Sequence, residues 1–449
     1  MPEKPSSRFF ASQPHRIAAW WTRFRLSGGL GGLRRRGAVV DESIHGTARR
    51  PIRAVESAQA LIAGDRRRSR LWRARPSQRI GRNLSILADL CWDGANHWRP
   101  WEDAAEPYDS VPLSYRRLAN ALLFVRSGLV MRAPFVALRE SLPPWPYMLE
   151  PLPGSDRVTA DAPVLDLNAA RPRQIIEAPV LSLCHVYGYG YGHWLADAIP
   201  PLLDMLDLVA AGALRVLVPP LTPWQRRTLE LLGVPSTAIV EINDATVACA
   251  DLICHSFGGP EHALRPGKLL DAVYRRLRSA APREYAGPRP RLIYVSRRSL
   301  GSWRELANEA EIEAALGSLG FAVMFPENMT LDQQIAAFSQ AQVIVGPSGS
   351  AFANAGFAPP GCLIVSLVPE QLRHRWLYGL PLHLGHRLLV LVAERLNGDR
   401  AHVAATSAEF FKPFRYHIAA EIVTRQTIAA MTRLGVQVDT AAGDMSRGS

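Results

Sequence analysis

Three clusters carry residue types and spacings that can do chemistry. In the first, His193 and Asp197 stand four apart, directly after a turn in which Gly188, Gly190 and Gly192 alternate with Tyr187, Tyr189 and Tyr191. On a helix such a pair shares one face. A carboxylate there can take a proton from a hydroxyl, with the imidazole orienting it or sharing the proton. The pair can equally serve only to stabilise a helix start. The second cluster is Ser296-Arg297-Arg298 with Arg304 and Asn308-Glu309. Guanidinium groups offer a planar fork to phosphate oxygens. The structural alternative is a solvated basic loop, with Glu309 and Glu311 complementing a helix dipole. The third is Ser348-Gly349-Ser350 with Asn354. Small side chains let a phosphate approach the backbone, and a helix N-terminus favours its charge. The Ser348 and Ser350 hydroxyls and the Gly349 amide can bind a phosphate. Asn354 can hydrogen-bond a ribose, a base or neighbouring backbone. Without a ligand, the stretch is a tight turn such as any α/β domain contains.

The elements around these clusters alternate. Val180 to His185, Arg215 to Val218, Ala238 to Ile242 and Leu252 to His255 read as strands. Helices are expected from about His193 to Leu208, from Thr222-Pro223 to Leu232 and from Pro266 to about Ala280. Ala281 to Pro290 holds Pro282, Gly287, Pro288 and Pro290 and reads as a linker. Beyond it the alternation restarts. Strands are expected at Leu292 to Ser296, Ala322 to Phe325, Val343 to Val345, Cys362 to Leu367 and Leu388 to Val392. Asn308 can cap a helix to Leu316, and Thr330 with Gln333 forms a capping box for another. Glu409 to Leu434 reads as one terminal helix, bent near Pro413. Strand–helix alternation on this scale predicts an α/β protein with parallel sheets covered on both faces. The arginines past Ser296 and the turn past Val345 then fall where such sheets bind ligands.

The charge is unevenly spread. Residues 1–82 hold eighteen Arg and one Lys against five acids, a surplus of 14, whereas the whole chain carries +12 and the remainder therefore −2. This segment, rich in Arg, Gly, Ser and Pro, is expected to be a largely disordered basic tail. Within it Ile17, Trp20, Trp21 and Phe24 lie among arginines at near-helical spacing, which would suit peripheral contact with an anionic membrane. Nucleic acid is disfavoured as a partner, because no folded nucleic-acid motif accompanies the charge. The five cysteines are scattered without a CxxC pair, and Cys184, Cys249, Cys254 and Cys362 read as buried thiols. No apolar run approaches the roughly 18 residues of a membrane span, and the first residues do not read as a secretory signal. The expected location is cytoplasmic, with the tail at the inner face of the membrane. The sequence contains no Asp-x-Asp, GxxxxGK[ST], GxSxG or HExxH motif.

Three blocks, in order, bring in a family. Gly192-His193-Trp194-Leu195-Ala196-Asp197 with Pro200 is the first. Tyr294-Val295-Ser296-Arg297 with Arg304 and Asn308-Glu309 is the second. Val345 to Asn354 with Pro359-Pro360-Gly361 is the third. Through them the chain resembles glycosyltransferase family 61, which includes bacterial capsular polysaccharide biosynthesis proteins. The resemblance covers about 180 to 370. It implies a GT-B-like fold of two Rossmann-like domains facing a cleft. It also implies inverting transfer from a nucleotide sugar, often a UDP-sugar, without a metal or other cofactor. The expected domains are 83–280 on the acceptor side and 291–405 on the nucleotide-sugar side, with 406–449 as terminal helix and tail. By position, Arg297, Arg304, Asn308, Glu309, Ser348, Gly349, Ser350 and Asn354 form the donor-binding set. Asp197 is the candidate base and His193 its neighbour. The acceptor would be a glycan or lipid-linked glycan of cell-surface or capsular polysaccharide synthesis. Ser348 stands where many members have His, and Ser366 where many have Glu. The alternative reading is a catalytically inactive sugar-nucleotide-binding or scaffold protein of the same fold.

Overall fold

Ser69–Arg75 forms strand β1 and pairs antiparallel with the long strand Leu113–Phe124, β2. The basic segment is thus not disordered throughout to residue 82, because residues 69–75 are a strand of the first sheet. The Ile17, Trp20, Trp21 and Phe24 cluster lies outside the described residues. The structure, a computed structural model, describes the chain from residue 170 to 437 apart from 257–266, 285–286, 302–303, 371–374 and 397–412. Before 170 it describes shorter segments, the longest 113–133.

The first sheet has ten strands. After β2 come Val130–Ala133 (β3), Val180–Ser182 (β4), Arg215–Val218 (β5), Ile239–Glu241 (β6) and Thr246–His255 (β7). They lie in the order β6-β5-β4-β7-β2-β3, with further short strands beyond β3 and on the flanks. The strands β6, β5, β4 and β7 are mutually parallel, and β2 runs antiparallel against β7 from Thr246 opposite Phe124 to His255 opposite Tyr115. Leu118, Leu123, Val180, Leu217, Val247 and Leu252 pack into one core on this sheet. Burying each such side chain stabilises the fold by roughly 1.5–3 kcal/mol before chain entropy is counted. Helix α1, Pro223–Leu231, starts at Thr222, whose side chain accepts from Gln225 N–H while Gln225 Oε1 accepts from Thr222 N–H. Cys184, Cys249, Cys254 and Cys362 are buried free thiols, as their apolar neighbours imply.

The second sheet has seven strands. Gly267–Ala280 (α2) precedes Leu292–Val295 (β8) and Arg304–Leu306 (β9). Then follow Glu309–Gly317 (α3), Ala322–Met324 (β10), Leu331–Phe338 (α4), Val343–Pro347 (β11), Leu363–Pro369 (β12), Arg375–His383 (α5) and Arg387–Arg395 (β13). The order is β10-β8-β11-β12-β13, then Phe414–His417 (β14), then β9. The first five are parallel, so their chain order reads 2-1-3-4-5, the second common doubly wound arrangement. In that arrangement connections leave β8 and β11 in opposite directions, and a crevice opens between their carboxyl ends. A core of Tyr294, Val345, Val365, Leu389, Phe414, Tyr416 and Val423 sits on one side of this sheet.

Two corrections concern boundaries. The expected terminal helix Glu409 to Leu434 is strand β14 followed by helix Ala420–Arg433, α6. Phe414 and Tyr416 are buried while Arg415 is exposed, a period of two that suits a strand. The chain also divides into compact units that interleave in sequence. One takes 1–76, 112–189 and 197–260; the other takes 77–111, 190–196 and 261–449. The segment assigned to an acceptor-side domain from residue 83 therefore begins in the second unit. There Leu87 N–H donates to Leu388 O at 2.9 Å, Trp92 N–H to Val390 O at 3.1 Å, and Asp89 pairs with Arg433 at 2.6 Å.

Candidate functional site

Strand β8 is wholly buried, and the chain turns sharply where it ends. Ser296 Oγ accepts from the Arg298 N–H at 3.2 Å, which sets the turn. The Arg297 N–H donates to Glu309 Oε1 at 2.8 Å, and the Tyr294 hydroxyl reaches the same oxygen at 3.3 Å. Glu309 opens α3 and is buried. One carboxylate thus fixes the backbone from which the Arg297 side chain departs.

The guanidinium groups of Arg297 and Arg304 both reach Gly349, just past the end of β11. A Cβ built on Gly349 would overlap Arg297 Nη1 and would lie 3.5 Å from Arg304 Nη2. The backbone of Gly349 is extended, at φ 178°, a conformation open to any residue. Glycine here leaves the space that the Arg297 guanidinium occupies; its dihedral freedom is not used. Burial and the neighbouring Arg297 cation pull Arg304 down to about 9. Arg297 Nε is buried without a hydrogen-bond partner among the described residues. Both side chains are half-buried; two cations brought together there repel one another, and an anion between them would relieve both. They stand between the ends of β8 and β11, which is the topological switch point of this sheet.

Burial pushes the Glu309 carboxyl up to about 7, against a smaller opposing pull from the Arg297 N–H. From an ordinary 4.5, the folded protein then keeps a proton that the unfolded chain has released. Stability from this group is full below about 4.5 and is lost as pH rises through about 7. Glu309→Gln is expected to flatten that fall. Urea unfolding of both proteins at about pH 5 and about pH 7.5 checks it.

The other expected donor residues divide. Ser350 begins the 3₁₀ helix Ser350–Phe357, whose leading N–H groups lie beside the arginine pair. The Ser348 hydroxyl meets the Ser366 hydroxyl at 2.5 Å, both buried, and the Ser348 N–H is held by Leu367 O at 2.9 Å. The two positions expected to depart from the family pattern therefore touch. Asn354 is fully buried and engaged at both ends. Its Oδ1 accepts from the Tyr191 hydroxyl at 2.6 Å, and its Nδ2 donates to Gln334 Oε1 at 2.8 Å. It fastens Tyr191 to helix α4. Asn308 Nδ2 donates to Ile418 O at 2.9 Å, tying the start of α3 to the chain after β14. Asn308 occupies the N-cap position, but its side chain does not cap the helix.

Asn354→Ala removes both bonds inside a packed region. It is expected to cost about 2–3 kcal/mol, against about 1 kcal/mol for Tyr191→Phe. Denaturant unfolding of the two variants measures the difference.

His193 and Asp197 were expected on one helix face. The helical turn Tyr191–His193 instead passes into a π-helical turn, Trp194–Ala198, so the four-residue α spacing does not apply. The unit boundary falls between Ala196 and Asp197. His193 is half-buried and Asp197 is buried. Tyr191, Gln334 and Tyr416 escaped the sequence reading. Tyr416 is buried beside Arg304, its hydroxyl pushed up to about 12 by burial and pulled back by that cation. Only its place in the apolar alternation of β14 could have marked it. Among the described residues no three His, Cys, Asp or Glu side chains are grouped as metal ligands would be.

A doubly wound sheet with two half-buried arginines and a glycine at its switch point is the arrangement at which open α/β sheets bind ligands. Residues 191–365 match the family model described as Glycosyltransferase 61. A search of curated proteins returns no match. The family match over residues 191–365 supports glycosyltransferase family 61, and with it a glycosyltransferase that has a donor and an acceptor substrate. The matched stretch contains every site residue expected from the sequence, from His193 to Asn354, whereas Ser366 and Tyr416 lie beyond it.

Proposed function

We propose that the protein is an inverting, metal-independent glycosyltransferase. It would move a sugar from a nucleotide sugar, of the UDP type, to a glycan acceptor in cell-surface or capsular polysaccharide synthesis. The observation that supports this best is the convergence of Arg297 and Arg304 on Gly349. In a single displacement the acceptor oxygen bonds to the anomeric carbon as the bond from that carbon to the diphosphate oxygen breaks. Asp197 takes the hydroxyl proton, with His193 as its neighbour. Arg297, Arg304 and the N–H groups at Gly349 and Ser350 take up the charge of the departing nucleoside diphosphate. The arginines supply in this reading the compensation that a metal supplies elsewhere. A GT-B arrangement, as the resemblance implies, belongs to this reading, as does action at the cytoplasmic face. No helix among the described residues is long and apolar enough to cross a membrane. The arginine surplus of residues 1–82 supports peripheral contact with anionic lipid instead.

The inactive alternative keeps the fold and the donor site but not turnover, so the arginine pair and Glu309 suit both readings and turnover separates them. Incubation with a panel of nucleotide sugars in the presence of EDTA tests the proposal. Release of a nucleoside diphosphate from one donor, increased by a glycan acceptor, is the expected result. Donor binding with no release under any condition would leave only the binding protein.

A further inference from the structure

One groove among the described residues is not absorbed by this chemistry. It lies at the carboxyl ends of β8 and β10, lined by Arg298, Ser299, Phe325 and Asn328, with a volume of about 370 Å³. Strands β8 and β10 are paired in register, Val295 opposite Met324, and the pairing continues as Ser296 N–H donates to Met324 O at 2.9 Å. The groove therefore opens on the flank of β8 away from β11. The arginine pair occupies the other flank. Adjacent strands are about 4.8 Å apart, so a ligand whose phosphates rest on Arg297 meets the groove one short spacer away.

We propose that this groove holds the nucleobase of the donor, a placement that rests on the diphosphate reading of Arg297 and Arg304. The lining suits a flat heteroaromatic ring better than a sugar. Phe325 is a partly exposed aromatic, and every base has a face that can stack on one. Asn328 offers an amide that donates and accepts, as a base edge requires. The carboxylates nearby are already engaged: Glu327 accepts from the Ser299 hydroxyl, and Glu313 holds Arg298 at 2.9 Å. A hexose would need several free polar partners, and this groove offers few. The order along the sheet edge becomes base at β10 and β8, diphosphate at β8 and β11.

Calorimetric titration of the full chain with UDP and, separately, inorganic pyrophosphate tests the placement. Phe325→Ala is expected to weaken UDP about tenfold or more while leaving pyrophosphate unchanged. Phe325→Leu, which keeps the apolar bulk and lacks the ring, should lose UDP in the same selective way. Asn328→Ala should narrow the preference among UDP, CDP, ADP and GDP. Unchanged UDP affinity in both Phe325 variants would overturn the placement while leaving the diphosphate site standing. Equal loss of both ligands would also overturn it. If the unaltered protein bound neither ligand, the diphosphate reading and the base placement would fall together.

Discussion

Arg297→Ala is expected to lower kcat/KM for sugar transfer by about 10²–10³-fold, the usual effect of removing one donor from a site where charge develops. Arg297 sits on the end of β8 with its backbone fixed by Glu309 and its guanidinium against Gly349. Removing it leaves Arg304 to neutralise the departing diphosphate alone. The same loss should follow from the other direction. Gly349→Ala places a methyl where Arg297 Nη1 now lies and must displace the guanidinium. Its backbone is extended, so no dihedral strain is introduced, and stability should fall by only about 1–3 kcal/mol from crowding. A variant that stays folded yet loses transfer would isolate the arginine position as the cause. Full activity in Gly349→Ala would show that the guanidinium does not need its present place.

The second large effect is expected at Asp197. Asp197→Asn keeps shape and removes the proton acceptor, so kcat should fall by about 10²–10⁴-fold while donor affinity is kept. His193→Ala should cost less, because imidazole orients or shares rather than receives the proton. The pair separates two reaction roles: loss at Arg297 reports on the leaving group, loss at Asp197 on the nucleophile. Retained kcat in Asp197→Asn would move the base to another residue.

Much of the second unit was legible from local chemistry. The capping box at Thr330 and Gln333 is present as the side chains demand, and the apolar run from Val343 is the buried strand β11. The residue types of the candidate donor set were legible too, and the structure brings Arg297 and Arg304 together at Gly349. Their division of labour was not. Asn354 looked available for a ribose or a base, but its partners Tyr191 and Gln334 lie 163 and 20 residues away, and only folding brings them together. Ser348 and Ser366 lie 18 residues apart, and only the pairing of β11 with β12, Gly346 beside Ser366 and Pro347 beside Leu367, brings their hydroxyls within reach. The π-helical turn at Trp194 has no sequence signature in propensity, so the i,i+4 reading of His193 and Asp197 was the natural one. The terminal helix was overextended because the period-two run Phe414, Tyr416, Ile418 is short and leads directly into the true helix Ala420–Arg433.

The most direct measurement is a calorimetric titration of the full chain with UDP in EDTA, repeated with Arg297→Ala and Arg304→Ala. Selective binding by the unaltered protein, weakened at least about tenfold in each variant and falling with added salt, is the predicted result. Equal affinity in all three proteins would contradict the claim that this arginine pair holds the donor diphosphate.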